Sequence, residues 1–74
     1  MITLYSKNDC RYCVAVATFL RNNGVDFKEI NIDEDEDGMK HVIDKGYMSI
    51  PVTEVEGKED IHGFDLDALN KLIR

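Results

Sequence analysis

Short segments with the periodicity of strands alternate with segments that have the periodicity of helices, and this alternation limits the possible folds more than any other feature. The predicted strands are residues 2–5, 27–32, 52–56 and 59–62. The predicted helices are residues 11–23, the segment that follows the acidic run 33–37 and stops at Gly46, and the segment after Asp65. Strand-helix-strand crossovers favour parallel neighbours, whereas the turn at 56–58 favours an antiparallel hairpin. The sequence therefore predicts an α/β fold, a four-stranded mixed sheet flanked by three helices in the order β-α-β-α-β-β-α.

The helical segments also predict which side chains face the core. The apolar residues at helical spacing are Cys13, Val16, Ala17 and Leu20 in the first helix, Met39, Val42 and Ile43 in the second, and Leu66, Leu69, Leu72 and Ile73 in the last. Asp9 and Asp65 stand where the N-caps of the first and last helices are expected. Gly24 and Gly46 stand where the first two helices should end.

Length and charge exclude several classes of protein. With 74 residues, of which 43% are apolar, residues 1–74 are expected to form a single domain around one small core. Nine basic against 15 acidic residues give a net charge of -6, so we expect no nucleic-acid and no membrane partner. No apolar run approaches the roughly 20 residues of a membrane span. Because the first residues also lack the pattern of a signal peptide, we expect a cytoplasmic protein. We also expect this protein to be a monomer.

Two cysteines, Cys10 and Cys13, stand where the first predicted strand gives way to the first helix. A disulfide ring this small restrains little of the unfolded chain, so the spacing favours chemistry over stabilisation. The free amides and the positive dipole end of a helix stabilise a thiolate. Lys7 and Arg11 add positive charge there, while Asp9 opposes it. We therefore predict that Cys10 attacks a disulfide and that the more buried Cys13 resolves the mixed disulfide.

Other interpretations of these and nearby residues fit less well. The cysteines could be small buried apolar side chains, or half of a zinc site with His41 and His62, which are not at zinc-finger spacing. The acidic run 33–37 and Gly38 are similar to a calcium loop, but Asp44 stands at the position of the bidentate glutamate. We therefore expect no metal site and interpret the run as the solvated start of the second helix.

Three segments, in this order along the chain, resemble the glutaredoxins. They are YSKNDCRYC at 5–13, Ser49-Ile50-Pro51 before the hairpin, and His62-Gly63-Phe64-Asp65 before the last helix. The resemblance covers nearly the whole chain and is greatest to the small redoxins of the NrdH type, through YSKNDC and GYMSIPV. It implies a thioredoxin-like fold and a dithiol-disulfide oxidoreductase that reduces protein or glutathione mixed disulfides through the cysteine pair.

The resemblance also implies how a substrate is held. Pro51 would follow a cis peptide bond, leaving the backbone of Ile50 free to pair with an extended thiol substrate. For glutathione, Lys7 would bind the glycine carboxylate, Tyr12 would lie along the tripeptide, and Asp65 would bind the γ-glutamyl end. The implied binding set is completed by Arg11, Gly63 and Phe64. Each position also has a purely structural interpretation, such as a surface lysine, a core-edge aromatic, a helix cap or a turn proline.

Three positions depart from the family pattern. Arg11 stands where many glutaredoxins have proline, which adds a cation beside Cys10. His62-Gly63 replaces the paired glycines of glutathione-binding members, and Ile61 stands where NrdH-type redoxins have tryptophan. We expect no tightly bound cofactor, glutathione as the reductant with thioredoxin reductase as the other candidate, and disulfide-containing protein substrates such as ribonucleotide reductase. The alternative function is a binding module that holds an iron-sulfur cluster through Cys10 and glutathione.

Overall fold

A four-stranded sheet separates two helical layers in the computed structural model, which describes residues 1–73. The strands are β1 (Ile2–Ser6), β2 (Lys28–Asn31), β3 (Val52–Val55) and β4 (Ile61–His62). The helices are α1 (Arg11–Asn22), α2 (Glu36–Asp44) and α3 (Leu66–Asn70). None of the helices in this part of the chain is long and apolar enough to cross a membrane. The predicted α/β class and the order β-α-β-α-β-β-α are confirmed.

The sheet is mixed, with the strand order β2-β1-β3-β4. β1 is parallel to β2 and antiparallel to β3, which in turn is antiparallel to β4. The expectation that the second crossover would also produce parallel strands is wrong. β2 ends where Asn31 lies beside Ser6, and β3 begins where Val52 lies beside Tyr5, so both points are at the same end of the sheet. α2 and the segment 45–51 therefore return the chain to the end that it left, and β3 runs the opposite way.

Side chains alternate across the sheet, so its two faces build two apolar clusters. The cluster on the side of α1 and α3 contains Leu4, Val16, Ala17, Leu20, Ile61 and Leu69. The cluster on the side of α2 contains Tyr5, Ile32, Val42 and Val52. The predicted inner face of α1 is confirmed, because all four of its residues are buried.

Two core predictions are wrong. Ile43 is 58% exposed, because α2 touches the sheet with a narrow stripe around Val42 and the next residue turns away from it. Leu66 is 47% exposed, because it begins the five-residue α3, which reaches the core through Leu69. β4 is also shorter than the predicted 59–62.

The second half of the acidic run 33–37 forms the start of α2, as predicted, whereas Asp33 and Glu34 lie in the turn before it. Asp35 is the N-cap, and its Oδ1 accepts a hydrogen bond from the Gly38 amide at 2.9 Å. Glu36 and Asp37 follow in the first turn, where carboxylates suit the helix dipole. Gly38 itself is needed for packing, because a Cβ atom there would lie 2.7 Å from Cγ2 of Ile30. The glycine thus allows α2 to approach β2 closely.

A charged cluster of Lys45, Glu54 and Asp60, which we call the α2 clamp, joins the end of α2 to the sheet. Lys45 Nζ lies 2.8 Å from Glu54 Oε2 and 2.6 Å from Asp60 Oδ2. Glu54 also pairs with His41 and accepts a hydrogen bond from Tyr5 Oη. Because two neighbouring carboxylates repel one another, Lys45 is the group that lets both remain charged.

The clamp changes the pKa values of its members in the expected directions. Hydrogen bonds to Asp60 and Glu54 hold the pKa of Lys45 well above its usual range. Burial by itself would raise the pKa of Glu54, but hydrogen bonds from Lys45 and His41 outweigh burial and lower it. Burial acts the same way on Asp60, and hydrogen bonds from Lys45 and Tyr47 lower its pKa.

We predict that replacing Lys45 destabilises the protein most at neutral pH. A carboxylate whose pKa is lowered by folding stabilises the native state above its unfolded pKa and loses that contribution as the pH falls. Wild-type stability should therefore decline as the pH drops below about 4, near the unperturbed values of Asp and Glu. In Lys45→Met the carboxylates lose their cation, so the deficit should be largest near pH 7 and shrink towards pH 3. Urea unfolding followed by circular dichroism at several pH values measures both curves.

Lys40→Met is the matched control, because Lys40 is an exposed lysine of the same helix that makes no salt bridge within residues 1–73. This variant should follow the wild-type curve. A deficit in Lys45→Met that does not vary with pH would contradict the role of the clamp.

Candidate active site

The pairing of the strands brings four loops to one end of the sheet. Ser6 lies beside Asn31, Tyr5 beside Val52, and Val52 beside His62. The segments that follow β1, β2 and β4 therefore meet the segment that precedes β3. Those segments carry Cys10 and every predicted binding residue except Arg11 and Tyr12, which lie on α1 together with Cys13.

Cys10 lies at the junction of the first loop with α1. It is the N-cap of the helix, and its Sγ accepts a hydrogen bond from the Cys13 amide at 3.1 Å. The prediction that Asp9 would be the cap is wrong. Asp9 has a φ of +54°, a left-handed conformation in which the chain turns sharply, so Cys10 is the residue with the extended backbone of a cap. The helix N-terminus is therefore directed at the sulfur of Cys10.

Cys10 and Cys13 are joined in a disulfide, with their Cα atoms 5.2 Å apart. Cys10 is partly exposed, whereas Cys13 is only 3% exposed and lies on the inner face of α1. The prediction that Cys13 is the more buried of the two is confirmed. The pair is therefore asymmetric, with the partly exposed Cys10 at the start of the helix and the buried Cys13 on its inner face.

Three polar residues hold the loop before Cys10 against the end of β2. The Asn8 amide donates to Asp33 Oδ2 at 2.9 Å, and Asn31 Nδ2 donates to Asn8 Oδ1 at 2.9 Å. The Asp33 amide donates to Asn31 Oδ1, which closes the group. These contacts were not predicted from the sequence. Their only signal was the general preference of Asn and Asp for turns, which does not reveal partners more than 20 positions away.

The loop before β3 contains the cis peptide bond expected between Ile50 and Pro51. The Gly63 amide donates to the Pro51 carbonyl at 2.8 Å, and the His62 ring contacts Ser49. Within the described residues, neither the amide nor the carbonyl of Ile50 has a backbone hydrogen-bond partner. The neighbours of Ile50 on both sides, Ser49 and Pro51, are thus held by hydrogen bonds, while the amide and carbonyl of Ile50 have no backbone partner in residues 1–73.

A groove of about 530 Å³ lies between α2 and this loop. Its lining includes Lys7 and Ile50, both of which the sequence placed in the binding set. Met39, Ile43 and Met48 give the groove an apolar wall, and Met48 is 98% exposed. The structure therefore brings one cation and one free backbone segment together beside an apolar surface.

The other predicted binding residues do not line this groove. Arg11 and Tyr12 are on the exposed first turn of α1, and Phe64 is 40% exposed after β4. Asp65 is the N-cap of α3, as predicted, because its Oδ1 accepts a hydrogen bond from the Ala68 amide at 3.1 Å. Gly63 has a φ of +79°, which is easily reached only by glycine.

The cations beside the cysteines are available to an incoming anion. Neither Lys7 nor Arg11 forms a salt bridge inside the described part of the chain. In a protein of net charge -6, these two side chains supply positive charge next to Cys10 in the sequence. Such charge favours a thiolate and attracts negatively charged groups.

Comparison with known proteins shows a consistent relationship. The family model described as Glutaredoxin matches residues 2–59. The glutaredoxin-like protein NrdH of Lactococcus lactis subsp. cremoris is 42% identical over 52 residues, which cover 70% of this chain and 72% of that protein. NrdH of Escherichia coli K12 is 34% identical over 71 residues, covering 96% of this chain and 86% of the relative.

Solved structures agree with the sequence comparisons. The NrdH-redoxin of Escherichia coli, which is described as having a thioredoxin-like activity profile, superposes with a TM-score of 0.89 at 33% identity. The match covers 99% of this chain and 95% of that one. The expected thioredoxin-like fold is thereby confirmed.

We predict that the reduced protein is alkylated first at Cys10. Exposure and the helix amides both favour reaction at Cys10, so iodoacetamide at pH 7 should modify it about tenfold faster than Cys13. Timed quenching and peptide mass spectrometry measure the two rates. In guanidinium chloride the difference should disappear, because it depends on the fold. Equal rates in the native protein would contradict the proposed asymmetry.

Proposed function

The chain belongs to the glutaredoxin family of thiol-disulfide oxidoreductases, and we propose that it reduces disulfides in other proteins with Cys10 as the attacking and Cys13 as the resolving thiol. The observation that carries this proposal is the asymmetry of the pair. Cys10 is partly exposed at the N-terminus of α1, and Cys13 is buried one turn further along the helix.

The reaction transfers two electrons in two exchange steps. The Cys10 thiolate attacks one sulfur of the substrate disulfide, that S-S bond breaks, and the other substrate sulfur leaves as a thiolate that takes up a proton. The Cys13 thiol then loses its proton and attacks Cys10 Sγ in the mixed disulfide. This forms the Cys10–Cys13 bond and releases the second substrate thiol. The disulfide in the structure corresponds to the oxidised end of this cycle.

The proposed substrates are disulfides carried by extended polypeptide segments. The free amide and carbonyl of Ile50 offer a short edge to which an extended chain could add by backbone hydrogen bonds. The apolar wall of the neighbouring groove suits peptide side chains. Because NrdH-type redoxins, which the sequence resembles, reduce ribonucleotide reductase, the disulfide of that enzyme is the substrate that we propose.

The proposed electron donor is thioredoxin reductase, with glutathione as the competing candidate. The thioredoxin-like activity profile of the Escherichia coli NrdH-redoxin supports this choice, as does the His62 side chain in place of a glycine. Lys7, Tyr12 and Asp65 would bind glutathione only under the competing scheme. A protein that reduces disulfides acts where thiols are kept reduced, so we propose that this protein is located in the cytoplasm.

We predict that NADPH oxidation depends on thioredoxin reductase. Two coupled assays are run with insulin as the acceptor, one with thioredoxin reductase and one with glutathione plus glutathione reductase. Turnover should be at least about tenfold faster in the first. Faster turnover with glutathione would replace the proposed donor and assign Lys7, Tyr12 and Asp65 to glutathione binding. Absence of turnover in both assays, and with dithiothreitol as donor, would contradict the proposed function.

We predict that the two cysteines fail in different ways when replaced. Cys10→Ser should abolish reduction of insulin, whereas Cys13→Ser should stop after the first exchange step. Mass spectrometry should then detect a mixed disulfide between Cys10 and the substrate. Sustained turnover by Cys13→Ser would contradict the resolving role of Cys13. Visible absorbance of the Cys13→Ser variant after incubation with glutathione, ferrous iron and inorganic sulfide would instead favour the iron-sulfur alternative.

A further inference from the structure

The side chain of His62 makes a contact with the loop before β3 that the proposed mechanism does not use. His62 ends β4, and its Nε2 atom lies 2.8 Å from Ser49 Oγ and 3.1 Å from the Ser49 carbonyl oxygen. Because a carbonyl oxygen can only accept, the second contact assigns the ring hydrogen to Nε2. A single N-H group is thus directed at two oxygens of one residue.

These contacts complete the support of Ile50. His62 holds Ser49 on one side, and the amide of Gly63 holds the Pro51 carbonyl on the other, at 2.8 Å. Both supports come from consecutive residues at the end of β4. The polar groups of Ile50 between them remain without a backbone partner in the described residues.

The His62 ring is itself held in place. It packs against Tyr47 with the ring centroids 5.1 Å apart. Tyr47 Oη donates to Asp60 Oδ2 at 2.7 Å, and Asp60 belongs to the α2 clamp through Lys45. The ring orientation therefore depends on a continuous series of contacts that starts at the end of α2 and reaches Ser49.

We propose that His62 is a positioning residue for substrate binding, which orients Ser49 so that the backbone of Ile50 is ready to pair with an extended substrate. This role rests on the proposed reduction of protein disulfides. Within residues 1–73 the His62 ring hydrogen-bonds to the loop before β3 and not to the cysteines, so its effect falls on substrates that use the Ile50 backbone. A small disulfide without a peptide backbone should not sense it.

Two variants of His62 separate its hydrogen bonds from its packing. His62→Phe keeps a ring against Tyr47 but removes the N-H group, and His62→Gln keeps a terminal N-H at nearly the same distance from the main chain. Pre-reduced protein serves as the only electron donor, and thiols are trapped by alkylation at timed intervals and counted by mass spectrometry. The acceptors are insulin and hydroxyethyl disulfide.

The expected result is that the rate of reduction falls with the polypeptide acceptor, insulin, and not with the small disulfide. Removing one or two hydrogen bonds should slow the reaction of His62→Phe with insulin about three- to tenfold and leave hydroxyethyl disulfide within about twofold. His62→Gln should recover most of the rate with insulin. Thermal unfolding of the three proteins checks that they are equally folded at the assay temperature.

The following outcomes would contradict the positioning role of His62. Equal rates of all three proteins with insulin, when the wild type is active, contradict the inference and leave the proposed function intact. If His62→Phe loses rate equally with both acceptors, or if His62→Gln does not recover the rate with insulin, the effect of His62 is a general structural one and not positioning of the substrate. A wild-type protein that reduces neither acceptor contradicts the proposed function, and the role of His62 with it.

Discussion

β1 is hydrogen-bonded along both edges, parallel to β2 and antiparallel to β3, and the site is assembled from its carboxyl end. With this pairing, β1 and β2 end where β3 begins, and β4 ends beside β3 at the same place. The cysteine loop, the Asn31 turn, the Ile50–Pro51 loop and the Gly63 segment therefore meet although they are far apart in the chain. A parallel β3 would have carried Pro51 to the opposite end of the sheet.

The two faces of the sheet serve different purposes around this end. On one face, the apolar cluster of α1 and α3 fixes the helix that carries the cysteines, with Cys13 buried on its inner side. On the other face, α2 is attached by a smaller apolar cluster and by the α2 clamp. Contacts from the clamp continue through Tyr47 to His62 and Ser49. Apolar packing thus places the helix that carries the cysteines, whereas the loop before β3 is held by polar contacts together with the packing of Ile50 against the smaller cluster.

Charge is distributed in a way that suits a thiol donor in an acidic protein. Some of the carboxylates lie in the first turn of α2, where the helix dipole stabilises them, and two lie in the clamp, where both pair with Lys45. Lys7 and Arg11 form no salt bridge in residues 1–73 and flank Cys10 in the sequence. Residues 7–11 thus carry two positive charges against the single negative charge of Asp9, in a chain whose net charge is -6.

Much of this could be predicted from the sequence, because the signals are local. Strand and helix periodicity predicted the element order and the buried face of α1, and the sequence also placed the cysteine pair at a strand-helix junction, where the structure has it. The resemblance to the glutaredoxins added the cis bond before Pro51, which periodicity does not encode. These features depend on residues within a few positions of one another, or on a motif read as a whole.

The tertiary structure decided the rest, because it depends on residues that meet only after folding. The left-handed turn at Asp9 made Cys10 the helix cap, and the return of the chain through α2 reversed β3. His62 meets Ser49 across 13 positions, and Asn8 meets Asp33 across 25. Nothing in the local pattern distinguishes these residues from ordinary polar loop residues. Their roles follow from strand register, which sets partners by distance in space and not in the chain.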